Sequence, residues 1–388
     1  RDFSFAYIFI TGILVNPRDY NYNGTIKKRE RKMAEEKKLS MIDYVVETPA
    51  QVLKNVENSY ELTRILAEEY NKKDYKRMIV VACGSSHNGS LCAKPFLHKV
   101  LKKEVEVVPP FNFVHFLNDF DDDDFIVVVS QSGRSTNAIE ALELLKAKGH
   151  RTIGITSDVN SDFKDICDLT INWGVGVEKV GYVTKGVVTL ALYFMLFAVE
   201  AQKANGSITA EEADAYKEEF RKAMQAHEEL QASAHQYIET HAKTLYNLQE
   251  LYVISAGANI GTVTEAAYEA EEFLHGPVYP MTPKFTLLAY ETGSKAANER
   301  IDAIYEASKG INEHSILVKC QHSEDPDVIS TDVELMDEVM PLAYLAVAPL
   351  LADFASRQLS VAEHPLLKEF EAKVATKSKK YPKEFGEW

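Results

Sequence analysis

Residues 125–149 read FIVVVSQSGRSTNAIEALELLKAKG. The run 125–130 is apolar and rich in β-branched valine, the composition of a strand buried on both faces of a parallel sheet. Seven residues, Ser130, Gln131, Ser132, Gly133, Arg134, Ser135 and Thr136, then form a turn with four hydroxyls and one glycine. After it the period changes. Ile139, Leu142 and Leu145 share one helical face, Glu140, Glu143 and Lys146 fall elsewhere, and Gly149 stands where a helix-ending glycine belongs. The stretch predicts a strand, a hydroxyl-rich turn and a helix. Such a turn aims backbone N–H groups, hydroxyls and the positive end of a helix at whatever sits above the sheet edge, which suits a phosphate. Ser and Thr are also ordinary N-caps, so the turn by itself is readable as a capped βα loop.

The same pattern occurs upstream. Residues 78–82 (MIVVA) read as a strand, residues 83–90 as a Gly/Ser loop and residues 91–101 as a helix. Short strands are predicted at 105–108, 152–156 and 169–173, and helical spacing runs through 48–71. The Asp-rich 118–124 reads as a solvated loop, since consecutive aspartates cannot converge on one ion. Residues 186–199 are almost wholly apolar, yet fourteen residues between Lys185 and Glu200 are too few for a membrane span. A helix apolar all round belongs in a core or a dimer interface. Charged, Ala-rich sequence at 208–236 predicts a helical connector.

The second half repeats the first. Residues 251–255 with Ala256-Gly257-Ala258-Asn259 correspond to 78–82 with Cys83-Gly84-Ser85-Ser86, and residues 285–290 with Glu291-Thr292-Gly293-Ser294 correspond to the central stretch. Alternating strands and helices with short turns predict an α/β fold of two tandem doubly wound parallel-sheet domains related by pseudo-two-fold symmetry. The divisions are an N-terminal extension at 1–32, a first domain at 33–205, the connector at 206–236, a second domain at 237–360 and a tail at 361–388. In the second turn Glu291 stands where the first half has Gln131. A negative charge there disfavours phosphate, so the substrate site falls to the first half.

A net charge of −15 argues against nucleic acid or an anionic membrane as partner, though not against a phosphorylated small molecule, which is read locally. Four cysteines scattered without CxxC spacing suggest neither a metal site nor a disulfide framework, and a reducing cytoplasm is expected.

Cys83-Gly84-Ser85-Ser86, Ser130-Gln131-Ser132-Gly133, Thr184-Lys185 and Glu272-Phe273-Leu274-His275-Gly276-Pro277 follow one another in that order. Together they resemble the double sugar-isomerase (SIS) family, which includes the isomerase half of glucosamine-6-phosphate synthase. The segments 178–186 and 267–277 are most similar to bacterial fructosamine- and glucosamine-type 6-phosphate deglycases, which split sugar phosphates conjugated to amino acids. The resemblance implies flavodoxin-like SIS domains, a phosphosugar substrate, no metal or redox cofactor, and a homodimer with a shared active site. No nucleophilic Cys follows Met33, so amide-driven amination is not expected.

By position, the resemblance gives Gly84, Ser85 and Ser86 to the first phosphosugar loop and Ser130, Gln131, Ser132 and Ser135 to the phosphate loop. It adds Thr184 and Lys185 to the substrate-binding set. His275, supplied across the dimer interface, would act at the sugar oxygens or the leaving amine. Lys377 loosely matches a ring-opening lysine in the family's tail. Glu272, one turn before His275, reads as its orienter or as a solvated charge.

One departure concerns the base. The family's general-base glutamate stands about sixteen residues before the histidine, where this chain has Asn259, and by the resemblance Glu265 matches an earlier glutamate of the same helix, not the base. Gly84 to Gly133 is 49 residues and Gly257 to Gly293 only 36. The shortfall predicts a missing segment after Ala266, with Ala266 and Ala267 too far apart to be bonded. If the helix is instead unbroken, Glu265, Glu269 or Glu272 must serve as base, or none does.

Overall fold

The structure, a computed structural model, describes residues 39–176, 178, 183–245, 251–274, 286–311 and 314–359, without the side chains of 244, 268–274 and 356–359. The expected extension at 1–32 and tail at 361–388 lie outside the described residues.

Strands β1 (Arg77–Val81), β2 (Glu104–Val108), β3 (Asp124–Val129), β4 (Ile153–Thr156) and β5 (Leu169–Asn172) form one parallel sheet in the order β2-β1-β3-β4-β5. Helices α1 (Met41–Glu57) and α2 (Ser59–Tyr70) precede it. Helices α3 (Gly84–Leu101), α4 (Pro110–His115), α5 (Thr136–Ala147) and α6 (Phe163–Ile166) connect its strands. Two long helices follow, α7 (Lys185–Ala204) and α8 (Ala210–Leu245). Side chains alternate across a strand, and here both faces are buried. Met78, Val80, Phe125, Val127 and Val129 join a core shared with α2, α3 and α7. Ile79, Val81, Ile126 and Val128 point the other way, against Phe113 of α4, Leu142 and Leu145 of α5 and Phe163 of α6.

Helix α7 is buried from Lys185 to Gln202. It is long and apolar enough to cross a membrane by composition alone, but its apolar length is enclosed by the chain itself, chiefly by α2 and α3. It is a core helix. The alternative of a dimer-interface helix is thereby corrected, because its apolar surface is covered within one chain.

The second sheet contains β6 (Leu251–Ile254), β7 (Thr286–Tyr290), β8 (His314–Lys319) and β9 (Val328–Ser330), all parallel and in that spatial order. Its helices are α9 (Ile260–Leu274), α10 (Lys295–Lys309), α11 (Met340–Tyr344) and α12 (Val347–Leu359). Strand for strand it reproduces β1-β3-β4-β5. Even the entry turns match, with Gly84 at φ 56° and Gly257 at φ 60°. Helix α8 continues beyond the predicted end of the connector, and it walls both cores. Phe220 and Met224 face the first, and Leu230, Tyr237 and Ile238 face the second.

Between α3 and β3 the first half spends residues 102–123 on β2 and α4, whereas the second half passes from Leu274 to Thr286. Among the described residues it has no counterpart of the edge strand β2. The expected break after Ala266 is corrected: Ala266 and Ala267 are successive residues inside α9. The helix is not severed there, and residues 275–285, which would have to carry any counterpart of β2, lie outside the described residues.

The halves meet where α9 crosses α3. A Cβ at Gly261 would lie 2.5 Å from the Cys92 amide nitrogen and 2.7 Å from the Asn88 carbonyl oxygen. On its other side α3 is equally tight against α7, where a Cβ at Gly89 would meet the Val187 carbonyl at 2.9 Å. Backbone cannot retreat as a side-chain end can. Gly261→Ala is therefore expected to lower stability by about 1–3 kcal/mol, read from its urea-unfolding midpoint. An unchanged midpoint would show that the two helices have room to spare.

Candidate active site

In the first sheet the chain leaves β1 toward β2 on one side and returns to β3 on the other. The turns after β1 and β3 diverge to opposite faces and leave a crevice at their C-terminal ends, the place where open α/β sheets bind ligands. Both predicted loops border that crevice. After β1, the left-handed φ of Gly84 turns the backbone directly into α3, so Ser85 and Ser86 ride on its first turn. The predicted loop at 83–90 is thus helical from Gly84 onward, because the glycine makes the turn in one residue.

The second loop is clamped to the end of β4. The Gln131 carbonyl accepts from Thr156 Oγ1 at 3.0 Å, from Ser157 N at 3.0 Å and from Ser157 Oγ at 2.7 Å. Gly133, at φ 62°, closes the turn with its N–H on the Ser130 carbonyl at 3.0 Å. Any Cβ there would lie 1.9 Å from Ser161 Oγ, so only glycine fits. Arg134 is buried and folds back, donating to the Ser132 carbonyl at 3.1 Å and pairing with Asp158 at 3.0 Å. Ser135 precedes α5 but makes no side-chain capping bond. Its hydroxyl lies 3.8 Å from Cys83 Sγ, which ties the two loops together.

The start of α7 closes a third side. Glu178 is buried and collects five hydrogen bonds. Oε1 accepts from Thr184 N at 2.9 Å, Thr184 Oγ1 at 3.1 Å and Lys185 N at 2.9 Å, and Oε2 accepts from Gly186 N and Gln131 Nε2, each at 3.0 Å. A carboxylate suits the positive end of a helix. Gln131 is thereby held against α7. Thr184 is spent on Glu178, and the fully buried Lys185 ammonium pairs with Glu47 at 3.1 Å over the Tyr44 ring.

Glu265 arrives from the second half. One helical turn beyond Gly261, it is 1% exposed, and its Oε2 accepts from Asn88 Nδ2 at 2.6 Å. Its Oε1 finds no partner of ordinary hydrogen-bond geometry among the described residues. Burial pushes the carboxyl up to about 7, and nearby Glu178 adds to the rise, while Asn88 and the Ser85 hydroxyl hold it down. A carboxyl poised near neutrality beside a phosphate-type loop is suited to give and take protons.

The structure thus brings Gly84, Ser85, Ser86, Ser130, Gln131, Ser132, Ser135, Thr184 and Glu265 around one crevice, with Lys185 turned toward α1. His275 and Lys377 lie outside the described residues. Glu272 lies in the last turn of α9, and its side chain is outside the description. Two residues of the crevice were given no role from sequence, Asn88 and Glu178. The available signal for Glu178 was a carboxylate seven residues before a helix start.

The equivalent crevice of the second sheet is occupied by its own side chains. Asp337 takes the Gly293 amide at 2.8 Å, Asn298 takes the Thr292 amide at 2.7 Å, and Ser294 caps α10.

The architecture is that of an α/β protein with two parallel sheets, and a polar crevice opens at the C-terminal ends of β1 and β3. The sequence model of the SIS domain matches residues 73–199, the first sheet and both of its loops. A glutamine–fructose-6-phosphate aminotransferase (isomerizing) from Thermococcus kodakarensis is 24% identical over 327 residues, 80% of this chain and 54% of that protein. The chain therefore spans about half the length of this curated relative. The C-terminal domain of glucosamine-fructose-6-phosphate aminotransferase from Francisella tularensis superposes with a TM-score of 0.73 at 17% identity, over 85% of this chain and 99% of that one. Glucosamine-6-phosphate deaminase from Thermotoga maritima gives 0.63 at 18% identity, over 82% and 96%.

The Glu265 environment sets a pH dependence. The folded protein holds this proton more tightly than the unfolded chain, whose glutamate titrates near 4.5. Its contribution to stability is present below pH 4.5 and is lost as pH rises through about 7. Buried His227, lowered to about 3, acts in the opposite sense and costs stability as pH falls below its ordinary 6.5. A difference measurement isolates Glu265. Glu265→Gln is expected to gain stability on wild type between pH 4.5 and 8, by at most roughly 3 kcal/mol in denaturant titrations. Parallel curves for the two proteins would contradict the buried carboxyl.

Proposed function

We propose that the chain is a sugar-phosphate enzyme that moves a proton between C1 and C2 of an open-chain 6-phosphosugar, and specifically a deglycase. Its substrate would be a 6-phosphorylated sugar–amino acid conjugate of the fructoselysine or glucoselysine type. The observation that carries this reading is Glu265, a buried carboxyl held near neutrality at the first substrate loop.

The chemistry follows from the crevice. Hydroxyls of Ser130, Ser132 and Ser135 and the amides of their turn receive the phosphate, and Ser85 and Ser86 face the sugar. Anchoring the phosphate at a helix start fixes the reacting carbons and removes the entropy of finding them. Glu265, ionised, takes the proton from the carbon bearing the amine and, through the enaminol, returns it to the adjacent former carbonyl carbon, leaving the C=N bond of an imine. The resulting imine is hydrolysed by water, releasing the free amine and the sugar 6-phosphate. His275 of a second copy would protonate the leaving amine in a shared-site homodimer. An aldose–ketose isomerisation uses the same proton transfer without the hydrolysis.

A second reading is favoured by Asn259. This residue, where the resembled family carries its base, is fully buried with its amide on the Glu291 carbonyl at 3.0 Å. A chain that relied on that position would bind phosphosugars without turning them over, as a sensor.

Amine release from fructoselysine 6-phosphate and glucoselysine 6-phosphate separates the two. Turnover of one substrate by wild type, reduced about 10²–10⁴-fold in Glu265→Gln, is the expected result. Tight binding of both with no amine released establishes the sensor reading.

A further inference from the structure

We infer that Asn88 is a positioning residue for Glu265: it engages Oε2 and leaves Oε1 as the oxygen that exchanges a proton with substrate. The inference rests on the reading of Glu265 as the proton-transfer group. It is carried by contacts between residues 177 positions apart, and no sequence motif announced it.

Asn88 and Glu265 are both almost wholly excluded from solvent, at 4% and 1% exposure. Water therefore cannot substitute for a lost contact, and the 2.6 Å bond from Asn88 Nδ2 is the one hydrogen bond of ordinary geometry that the carboxyl receives among the described residues. The backbone on both sides is fixed as well. The Asn88 carbonyl is one of the atoms that exclude a side chain at Gly261, one turn before Glu265. Helix and counter-helix cannot slide, so the amide meets the same oxygen each time.

The amide's own orientation is determined by its second neighbour. A carboxylate only accepts hydrogen bonds, so Nδ2 faces Glu265 and Oδ1 faces the other way. There it meets His87 Nδ1 at 3.4 Å. Oδ1 only accepts, so the His87 proton resides on Nδ1. Burial lowers the His87 pKa, which keeps the ring neutral near pH 7 and agrees with a single ring proton. His87 thus orients Asn88, and Asn88 orients Glu265.

Other groups act on Glu265 from neighbouring elements. From α3 come Asn88 and Ser85, and from the segment before α7 comes the charge of Glu178. Cys92, also on α3, is a buried thiol pushed up to about 12 and stays neutral. Helix α12, which packs on α9, carries Asp353. Among these, Asn88 is a neutral donor bonded to the carboxylate at 2.6 Å, so its removal is felt chiefly by the charged form.

The test reads the titration of Glu265 and does not require turnover. The protein is labelled with ¹³C at glutamate carboxyls, and Glu265→Gln identifies the resonance by its disappearance. Asn88→Ala is expected to raise the titration midpoint by about one pH unit, through loss of a hydrogen bond to the charged form. Asn88→Asp, which keeps the side chain's shape and serves if the alanine variant fails to fold, is expected to raise it further by placing a like charge on Oε2. His87→Phe is expected to give a smaller rise. A midpoint in either folded Asn88 variant that coincides with wild type overturns the inference. A wild-type protein that releases no amine counts against the proposed function and leaves this titration readable. An active wild type with an unmoved midpoint removes only the role of Asn88.

Discussion

The two halves of the chain meet at the tight crossing of α9 over α3, and the candidate site depends on it. The hydroxyl-rich loops and the buried carboxyl of Glu265 come from different halves of the chain. The first sheet supplies hydroxyls, amides and a helix start, and the second supplies Glu265. They meet because Gly261 has no side chain where the α3 backbone passes and because α3 is held from behind at Gly89. A buried carboxyl is costly to ionise, and a single short bond from Asn88 offsets only part of that cost. The balance leaves Glu265 near 7. A looser crossing would admit water, return the carboxyl toward its ordinary range and detach it from the loop.

The two buried glutamates of the crevice differ in what surrounds them. Glu178 is met by three backbone amides, a hydroxyl and a carboxamide at the start of α7. Among the described residues Glu265 has one hydrogen bond of ordinary geometry, from Asn88, with the Ser85 hydroxyl and the charge of Glu178 nearby. The first arrangement fixes structure, since it locks Gln131 and the helix start together. The second leaves an oxygen uncommitted. In the other sheet the corresponding turn is closed by Asp337 and Asn298. That difference agrees with a single substrate crevice per chain, on the side where Gln131 stands in place of Glu291.

Local pattern carried much of this. The valine-rich run ending at Ser130 had to be a strand with two buried faces, and the structure sends its alternate residues into two separate cores. The hydroxyl-rich turns and their glycines were legible because left-handed backbone and helix starts leave a compositional trace. The contacts that complete the crevice were not legible. Asn88 to Glu265 and Gln131 to Glu178 are single pairs with no periodicity, fixed by how helices cross. The short second repeat misled for a related reason. Residue counts register that something is shorter but not where, and the structure keeps α9 whole across Ala266 and Ala267.

The most direct measurement of the central claim is hydrogen exchange at the sugar carbons. The protein is incubated in D₂O with a 6-phosphorylated fructosamine or glucosamine conjugate, and deuterium at C1 and C2 is followed by NMR. Wash-in by wild type that falls at least about 100-fold in Glu265→Gln is the predicted result. Exchange at the same rate in both proteins would place the base elsewhere and contradict the account.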